Sequence, residues 1–544
     1  MRIRSLANLS LWPLKQAEGS RKPKCACGFT GWKRREEAAV SDEHLSTLSN
    51  VIARRAEGAR DHVLLISDDA RVTYGEMNRL GARIAAALRR SGASAGDTIA
   101  VLAANGPAYL ALMVGAARAG MVLAAIPVSA EDGAKQAMIR DSGATLLFTD
   151  EALPFKVSAE VVMLGEPFDR WLAQDGAADA DDEAPVAVDG DAPMTIIYSS
   201  GTTGTPKGIV QPFRYRARML ESGGARGYGP DAVTLLATPL YSNTTLSALV
   251  QTIGAGGTIV LMTKFDAGRW LALAERHRVT HAMLVPVMCA RLLAHPDFDR
   301  TDLSAFRVKY CTSAPFAPAM KREMLDRWPG GLVEYYGMTE GGASFVLFAH
   351  EHPDKLHTVG RIAPGGGEVR LLDDDDRDVA PGEQGEIVTR SGGMMIGYHN
   401  RPEETAASRW IAPDGSVWQR TGDIGRIDED GFLTIVDRKK DMIISGGFNI
   451  YPSDIEAVVA AHPEVQEASV VGVPSETWGE TPVAFVVAPG ADAGAIKEWI
   501  NARVGKMQRV ADVSIVEELP RGPIGKVLKR ELRDRYVGAL KLAA

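Results

Sequence analysis

The stretch IIYSSGTTGTPKG, from Ile196 to Gly208, combines glycines, Ser and Thr hydroxyls and a single lysine. Glycine lets the backbone turn its N–H groups toward an anion, hydroxyls donate further hydrogen bonds, and lysine adds positive charge. An ordinary polar loop has a similar composition. Residues Met194 to Tyr198 have the pattern of a short buried strand, and α/β proteins commonly bind phosphate in the loop after such a strand. The stretch therefore predicts a phosphate-binding loop.

This loop differs from the P-loop of ATPases and kinases. That motif has a lysine preceded by glycine and followed by Ser or Thr. Here Pro206 precedes Lys207 and Gly208 follows it. A P-loop ATPase or kinase is therefore disfavoured.

The rest of the chain alternates helical stretches with buried strands. Residues Asp97 to Asn105, Ala144 to Thr149 and Gly257 to Met262 have the apolar pattern of buried strands. The apolar stretch from Ala108 to Val128 carries Arg118 in its middle, so a helix followed by a strand explains it better than a membrane span. This alternation predicts an α/β fold. At 544 residues the chain should form at least two domains.

Composition and charge narrow the range of partners. The chain is 45% hydrophobic and 24% charged, which is typical of a globular protein. A formal net charge of −8 argues against nucleic acid as the main partner. Four cysteines are too few for a disulfide framework, so reduced thiols in the cytoplasm are expected; they are Cys25, Cys27, Cys289 and Cys311.

The amino-terminal residues stand apart from the rest of the chain. Met1 to Arg35 contains nine Lys or Arg residues against one acid, Glu18, and has no apolar core of signal-peptide length. A targeting arm and a metal-binding Cys-x-Cys are open alternatives. The favoured interpretation is a disordered extension over residues 1–41 or an upstream start-site assignment, because a periodic pattern begins only near Leu45.

Four further motifs follow the loop: EYYGMTE from Glu334, RTGD from Arg420, VDRKKDMIISGGFNIYPSDIE from Val436 and GPIGKVLKREL from Gly522. In this order and spacing, the set strongly resembles the adenylate-forming superfamily of acyl-CoA synthetases, peptide-synthetase adenylation domains and luciferases, over residues 45–532. The resemblance implies an α/β fold with a large composite amino-terminal domain over residues 42–439, built of packed sheets, flanking helices and a small β subdomain. A hinge would join it to a small, mobile α+β domain over residues 440–544.

The implied reaction requires the carboxylate to be activated before a thiol can attack it. A thiol cannot displace oxide from a carboxylate at a useful rate, and coupling the acid to AMP supplies a good leaving group. The enzyme must therefore hold ATP, Mg²⁺ and a carboxylic acid together. Thr339 can donate to the α-phosphate, Glu340 offers a hard oxygen ligand for Mg²⁺, and Asp423 has two acceptor oxygens for the ribose hydroxyls. Glu340 could instead be a surface acid, and Asp423 could be a turn residue after Gly422.

The resemblance adds further nucleotide contacts. It implies that the loop embraces the β- and γ-phosphates, that adenine stacks on Tyr336 beside the TSAP segment, and that Arg438 contacts ribose or phosphate. The implied ATP- and AMP-binding residues are Ser199, Thr202, Thr203, Lys207, Ser313, Ala314, Pro315, Tyr336, Gly337, Thr339, Asp423 and Arg438.

Lys526 is the strongest candidate for the catalytic lysine. Attack of a carboxylate on the α-phosphorus builds negative charge on the phosphoryl oxygens, and a lysine placed there stabilises the transition state more than the ground state. The Pro- and Gly-rich GPIGK segment could deliver its side chain. On its own, this lysine would more often be an exposed loop residue.

The remaining motifs imply a hinge and a thiol site. Lys440 matches the hinge position about which the small domain turns, so that one active site serves adenylation and then thiol attack. By itself the alternating charge around it is typical of a solvated surface. Gly446 and Gly447 could let pantetheine pass close to the backbone. Trp478 and Arg509 match positions that contact the CoA nucleotide in related aryl-CoA ligases.

The acid pocket is the least specific part of the resemblance. Its expected lining is Tyr241, Ser242, Asn243, Gly337 and Gly341, with the glycines leaving room for a ring or chain. Many relatives have His where this chain has Ser242. The aromatic gate to the acid pocket that is usual in the family is therefore in doubt, and a polar substituent could enter. Ser242 and Asn243 could equally cap the following helix. Amino-acid adenylation is disfavoured because residues 239–246 hold no acid for an α-ammonium.

The sequence therefore predicts a cytoplasmic carboxylic acid–CoA ligase that uses ATP, Mg²⁺ and CoA. The expected substrate is a medium-chain, alicyclic or aromatic monocarboxylic acid, with AMP and pyrophosphate as by-products. An acyl-AMP ligase loading a separate carrier protein is the first alternative, and a catalytically silent nucleotide-binding regulatory protein is the last. No nucleic acid partner and no membrane span are expected, and a homodimer is left open.

Overall fold

The structure is a computed structural model that describes residues 45–68, 70–173, 184–199, 206–363, 365–445, 448–522 and 525–543. Its helices are α1 Leu48–Gly58, α2 Tyr74–Arg90, α3 Pro107–Ala119, α4 Asp132–Ser142, α5 Glu166–Ala173, α6 Phe213–Ser222, α7 Asn243–Ala255, α8 Ala267–Arg276, α9 Pro286–Leu293, α10 Pro318–Arg327, α11 Pro402–Ala407, α12 Pro452–Ala460, α13 Ala493–Asn501 and α14 Lys529–Ala543.

The strands of the first two sheets come mainly from the first 362 residues. They are β1 Val63–Ile66, β2 Arg71–Thr73, β3 Thr98–Leu102, β4 Val122–Ala125, β5 Leu146–Thr149, β6 Glu160–Met163, β7 Pro193–Ser199, β8 Lys207–Pro212, β9 Val233–Leu236, β10 Thr258–Leu261, β11 His281–Leu284, β12 Val308–Cys311, β13 Gly331–Tyr336, β14 Phe345–Phe348 and β15 Arg361–Ile362, with β18 Gly397–Tyr398.

The remaining strands form two smaller sheets. They are β16 Glu368–Leu372, β17 Gln384–Arg390, β19 Arg409–Ile411, β20 Val417–Ile427, β21 Leu433–Arg438, β22 Ile443–Ser445, β23 Phe448–Ile450, β24 Glu467–Ser475, β25 Gly479–Val487 and β26 Asp512–Ile515.

Two large, mostly parallel sheets make up the main body. The first has the strand order β15-β14-β13-β12-β11-β9-β10-β1-β2 and the second β18-β8-β7-β4-β3-β5-β6. Their central strands are buried along their whole length, with helices packed on them, as expected for parallel sheets in α/β proteins. The α/β class predicted from the sequence is confirmed.

The apolar stretch around Arg118 forms a helix and a strand, as predicted. Helix α3 begins with Pro107 and ends at Gly120, whose φ of 69° is a left-handed cap, and β4 follows. Arg118 is buried and donates to the Asn78 side-chain oxygen at 2.8 Å. Among the described residues, no helix is long and apolar enough to cross a membrane.

A third, five-stranded antiparallel sheet orders β16-β17-β20-β19, with β21 on β20. It carries the RTGD motif in β20 and ends at Arg438. The fourth sheet, β23-β22-β25-β24 with β26 beside β25, is built wholly from residues after the proposed hinge. Its two faces carry separate apolar clusters, one under α12 and α13 and one under α14. These layers match the large and small parts that the resemblance implies.

Candidate active site

The predicted phosphate loop connects two paired strands. Ser199 ends β7 and lies opposite Lys207, the first residue of β8, in the antiparallel register. The Lys207 ammonium lies 5.0 Å from the centre of the Tyr398 ring, a cation–π geometry. Thr202 and Thr203 lie outside the described residues.

The Thr339–Glu340 turn, which follows β13, is held at three points. The Glu340 carboxylate accepts from the Tyr398 hydroxyl at 3.0 Å, and its carbonyl accepts from the Met395 N–H at 2.8 Å. The Thr339 carbonyl accepts from the Gln211 side-chain amide at 2.7 Å. Burial and then the Glu340 charge raise the pKa of Tyr398, so this hydroxyl remains a donor at neutral pH.

Asp423 links two further predicted residues. It lies opposite Arg438 on neighbouring strands, and the two side chains are joined from Nε to Oδ1 at 2.6 Å. The other carboxylate oxygen accepts from the Tyr336 hydroxyl at 2.6 Å. Although burial opposes the charge of Arg438, the Asp423 carboxylate raises its pKa above the usual value. The structure thus unites residues from three separate motifs.

The TSAP segment lies beside the start of α7. Ser313 has a left-handed φ of 80°, which is uncommon for a residue with a side chain. Its hydroxyl lies 2.5 Å from the Thr244 hydroxyl, and the Thr312 hydroxyl donates to the Tyr335 carbonyl at 2.8 Å. Ala314 is half-buried and Pro315 is exposed. Gly337 is exposed, and a β-carbon there would lie no closer than 3.5 Å to its nearest neighbour, Ser344.

Lys526 reaches the same site from the small part of the chain. Gly525 has a φ of 80°, and a β-carbon on it would lie 2.7 Å from Val287 at the start of α9, so this turn packs closely on the main body. Burial, followed by the charges of Arg438 and Lys440, lowers the pKa of Lys526 to about 8. Arg438, Lys440 and Lys526 are therefore a group of cations close enough for the first two charges to act on the third.

Lys440 is part of that cation group. Desolvation and then the Arg438 charge lower its pKa, and the Lys207 charge acts in the same direction.

The segments before and after Lys440 are hydrogen-bonded to each other. The Asp437 carboxylate accepts from the Ser453 N–H at 2.9 Å. The Ser453 hydroxyl donates to the Val436 carbonyl at 2.5 Å. These two bonds tie the start of α12 to β21.

The proposed CoA residues are less closely connected. Gly446 and Gly447 lie outside the described residues. Trp478 is 47% exposed and precedes Gly479, which pairs with Ser445 just before those glycines. Arg509 is exposed and follows a short 3₁₀ turn, Lys506–Gln508, that contacts β23. The structure therefore brings Trp478 and the turn before Arg509 to the same end of the fourth sheet.

On the acid side, the capping alternative accounts for Ser242. Its hydroxyl accepts from the Thr244 N–H at 3.3 Å at the start of α7. The Asn243 side-chain oxygen accepts from Arg216 at 2.7 Å. Tyr241 is buried, and its hydroxyl lies 3.1 Å from that of Ser129. Both polar side chains at the expected gate thus have protein partners.

Gly341 stays a predicted residue of the acid pocket, but the structure gives another reason for its being glycine. We expected it to leave room for the acid, but the place of its missing side chain is already filled. Its φ is 87°, and a β-carbon would lie 2.0 Å from the Gly393 carbonyl oxygen. Glycine is required here because two backbone segments approach closely beside Glu340.

Sequence reasoning missed Tyr398, Gln211 and Arg216. Tyr398 comes from β18, which pairs with β8 although the two strands are far apart in the chain. Gln211 and Arg216 follow the loop directly but belong to none of the motifs. Gln211 interrupts the apolar residues of β8, which was the available signal for it, but Arg216 is one of three arginines in α6 and carried no such signal.

The residues present suit a magnesium–nucleotide complex. Among the described residues there is no group of three or more His, Cys, Asp or Glu that could enclose a metal ion. Mg²⁺ needs no such cage, because it keeps several waters and takes one or two carboxylates together with substrate phosphates. Glu340, held by Tyr398 beside Lys207, is a carboxylate suited to that role.

Comparisons with known proteins agree with this geometry. The AMP-binding enzyme family matches residues 52–399, and the AMP-binding enzyme C-terminal domain matches residues 454–526. A feruloyl-CoA synthase from an Amycolatopsis species is 34% identical over 86% of this chain and 94% of its own. The fatty acid–[acyl-carrier-protein] ligase ScoC of Streptomyces coeruleorubidus is 32% identical over 91% of this chain and 97% of its own.

A solved structure has the same fold as this chain. ATP-bound MatB from Rhodopseudomonas palustris has a TM-score of 0.81 and 30% sequence identity, covering 90% of this chain and 99% of that protein. The fold and the site therefore define an adenylate-forming ligase. The chain belongs to the AMP-binding enzyme family and is an AMP-forming CoA ligase, a class that uses ATP, Mg²⁺ and CoA.

Proposed function

We propose that this ligase activates a medium-chain, alicyclic or aromatic monocarboxylic acid, with the site residues predicted from the sequence in the roles given below. The assignment of roles is carried by the turn at Gly525, which packs on Val287 of the main body just before Lys526. The charges of Arg438, Lys440 and Asp423, which come from other motifs, act on the pKa of Lys526. A surface lysine would not be expected to face a half-buried group of cations and a ribose-binding carboxylate. The similarity to a feruloyl-CoA synthase supports testing aromatic acids first.

The proposed first step joins the acid to AMP. The acid carboxylate attacks the α-phosphorus of ATP, a P–O bond forms, and pyrophosphate leaves with the electron pair of the broken bond. Lys526 and the Thr339 hydroxyl stabilise the charge that builds on the phosphoryl oxygens. Asp423 and Arg438 fix the ribose, Tyr336 and the TSAP segment hold adenine, and Lys207 and Ser199 hold the outer phosphates.

Electrostatics support this arrangement. Besides burial, which is the larger cause in both cases, the charges of Arg438 and Lys207 lower the pKa of Lys440, and those of Arg438 and Lys440 lower the pKa of Lys526. Bringing like charges together is costly unless an anion of high charge occupies the space between them. A triphosphate meets that need, and Glu340 would hold its Mg²⁺.

The proposed second step needs a different arrangement. After pyrophosphate leaves, the part of the chain after Lys440 turns, withdraws Lys526 and brings Gly446, Gly447, Trp478 and Arg509 toward the acyl-adenylate. The CoA thiol then loses its proton to solvent and its sulfur attacks the acyl carbon. A C–S bond forms, the acyl C–O bond breaks, and AMP leaves with the electron pair of that bond. The packing of Gly525 on Val287 supports assigning the present conformation to the first step.

A carrier protein is a second candidate acceptor. The specific observation in its favour is the similarity to a fatty acid–[acyl-carrier-protein] ligase over 91% of this chain. Both acceptors present a pantetheine thiol to the same acyl-adenylate, so the first step is common to both.

We also propose that the enzyme acts in the cytoplasm, where ATP and CoA are found. Cys289 and Cys311 are buried and unbridged, which supports a reducing compartment. A homodimer is a further proposal, and light scattering of the purified full-length chain tests it.

The experiment is AMP formation from ATP and Mg²⁺ with a panel of fatty, alicyclic, benzoic and cinnamic acids, each with and without CoA. The expected result is CoA-dependent turnover that favours one acid class. Acid-dependent pyrophosphate exchange without thioester would favour a carrier-protein acceptor. No exchange with any acid would overturn the proposed function.

A further inference from the structure

A buried polar network lies directly behind the Thr339–Glu340 turn. Gln211 in β8 is fully buried, and Arg216 in α6 is only 2% exposed. Arg216 donates to the Gln211 side-chain oxygen at 2.6 Å and to the Asn243 side-chain oxygen at 2.7 Å. Gln211 in turn donates to the Thr339 carbonyl at 2.7 Å. The three side chains connect the phosphate-loop strand, the α7 start and the proposed catalytic turn.

The orientation of the Gln211 amide is fixed by chemistry. A guanidinium group has donors and no acceptor, so the group of Gln211 that faces Arg216 must be its oxygen. The Thr195 hydroxyl also donates toward that oxygen, at 3.4 Å. The amide nitrogen is therefore left for the Thr339 carbonyl, which could not accept from a reversed amide.

Burying the charged Arg216 side chain costs free energy, which its hydrogen bonds must offset. The partners of Arg216 among the described residues are all uncharged: Gln211, Asn243, the Met219 sulfur at 3.5 Å and the Tyr215 ring at 5.0 Å. Burial lowers the pKa of Arg216 to about 10. It stays charged at neutral pH without a carboxylate among those partners. Buried polar groups that are fully hydrogen-bonded make the structure around them rigid.

We propose that Arg216 and Gln211 are positioning residues that hold the Thr339–Glu340 turn where it meets the α-phosphate and Mg²⁺. This rests on the proposed function, in which Thr339 donates to the α-phosphate and Glu340 binds the metal. Arg216 sets the direction of the Gln211 amide, and Gln211 fixes the peptide between the two contact residues. Neither side chain touches the substrates.

The test compares two identical substitutions, Gln211→Met and Gln419→Met. Gln419 is also fully buried, and its amide also donates to a main-chain carbonyl, that of Ser408 at 3.0 Å. The first readout is the Kd of the Mg²⁺ complex of ATP by calorimetry, without acid. The second is the Mg²⁺ concentration for half-maximal pyrophosphate exchange, with each thermal midpoint recorded.

For Gln211→Met we expect a Kd and a half-saturating Mg²⁺ concentration about 10- to 100-fold higher, the usual effect of removing a partner that orients a metal ligand. Gln419→Met is expected to change the thermal midpoint alone. Arg216→Met should act like Gln211→Met, and Arg216→Lys should restore part of the loss because it keeps a donor to Gln211.

Two outcomes would overturn the proposal. One is an unchanged Kd and Mg²⁺ dependence in Gln211→Met. The other is equal losses in both Met variants, in proportion to their loss of folded protein. If the unaltered chain shows no acid-dependent exchange, the proposed function fails instead, while the calorimetric comparison still tests the positioning role.

Discussion

Asp423 and Arg438 face each other across β20 and β21 and are joined by a 2.6 Å hydrogen bond, while the second Asp423 oxygen accepts from Tyr336. This arrangement leaves the carboxylate fixed in direction, with lone pairs still free for ribose hydroxyls. A hydrogen bond to a charged group contributes about 1.5–3 kcal/mol. Asp423→Asn should therefore raise the KM for ATP about 10- to 100-fold.

Steady-state exchange kinetics measure this effect. Asp430→Asn is the control, because that carboxylate is exposed and pairs with Lys355. A KM for ATP that is equal in the two variants would show that Asp423 does not bind the nucleotide.

Lys526→Ala should lower acid-dependent pyrophosphate exchange by about 100-fold or more, the scale for one transition-state donor. Thioester formation from a preformed acyl-adenylate should remain, because it does not need this charge. Lys529→Ala is the matched control, since that nearby lysine pairs with Glu456 at 2.9 Å. Intact exchange with impaired thioester formation would contradict the assignment.

The pH dependence follows from the lowered pKa of Lys526, about 8. Only the protonated lysine carries the charge, so kcat/KM for ATP should fall about tenfold per pH unit above that value. Lys440→Met removes a positive neighbour, so the pKa of Lys526 should rise and the alkaline limb should move to higher pH. A limb that stays in place, or moves to lower pH, would show that another group controls it.

Gly341→Ala should impair exchange through backbone strain beside Glu340. Its φ of 87° is left-handed, and the new β-carbon would meet the Gly393 carbonyl. Gly382→Ala is a close control, with a φ of 85° and no atom within 4 Å. The conformation alone costs about 1–2 kcal/mol, so a Gly341 variant no less stable and no less active than the Gly382 variant would refute the contact.

Lys321 and Glu334 form a buried ion pair beneath the nucleotide site, and Lys321 also donates to the Leu356 carbonyl at 2.7 Å. Lys321→Met should lower the free energy of unfolding by about 3–5 kcal/mol, because it leaves the Glu334 carboxylate unpaired. Adding Glu334→Gln should recover part of that loss. Denaturant unfolding measures both, and the exposed pair of Arg535 and Glu531 gives a control variant, Arg535→Met, expected to cost about 1 kcal/mol or less.

Sequence reasoning reached the α/β class because buried parallel strands are continuous apolar runs that can be seen without knowing their partners. It also predicts roles for Asp423, Arg438 and Lys526, since each lies inside a motif whose chemistry needs it, and these roles stay predictions. It did not reach Tyr398, which contacts Lys207 and Glu340 only because β18 pairs with β8 across a long separation. Strand pairing at that distance leaves no local pattern.

The contacts of Gly341 and Asn243 could not be predicted from the sequence for the same reason. Both were expected to shape the acid pocket from their positions alone. The packing of Gly341 against Gly393 and the bond from Arg216 to Asn243 depend on segments distant in the chain. Contacts between distant segments, rather than residue type, decide the surroundings of these two residues.

Asp437 and Ser453 stand on opposite sides of Lys440 in the chain and are bound to each other, with a second bond from Ser453 to Val436. Because we propose Lys440 as the hinge, turning there separates these residues and breaks both bonds. On this proposal the two bonds favour the form that receives ATP and the acid, and we expect the thiol substrate to arrive last. Steady-state inhibition patterns should show an ordered mechanism, with the nucleotide and the acid entering before the first product leaves and CoA after it.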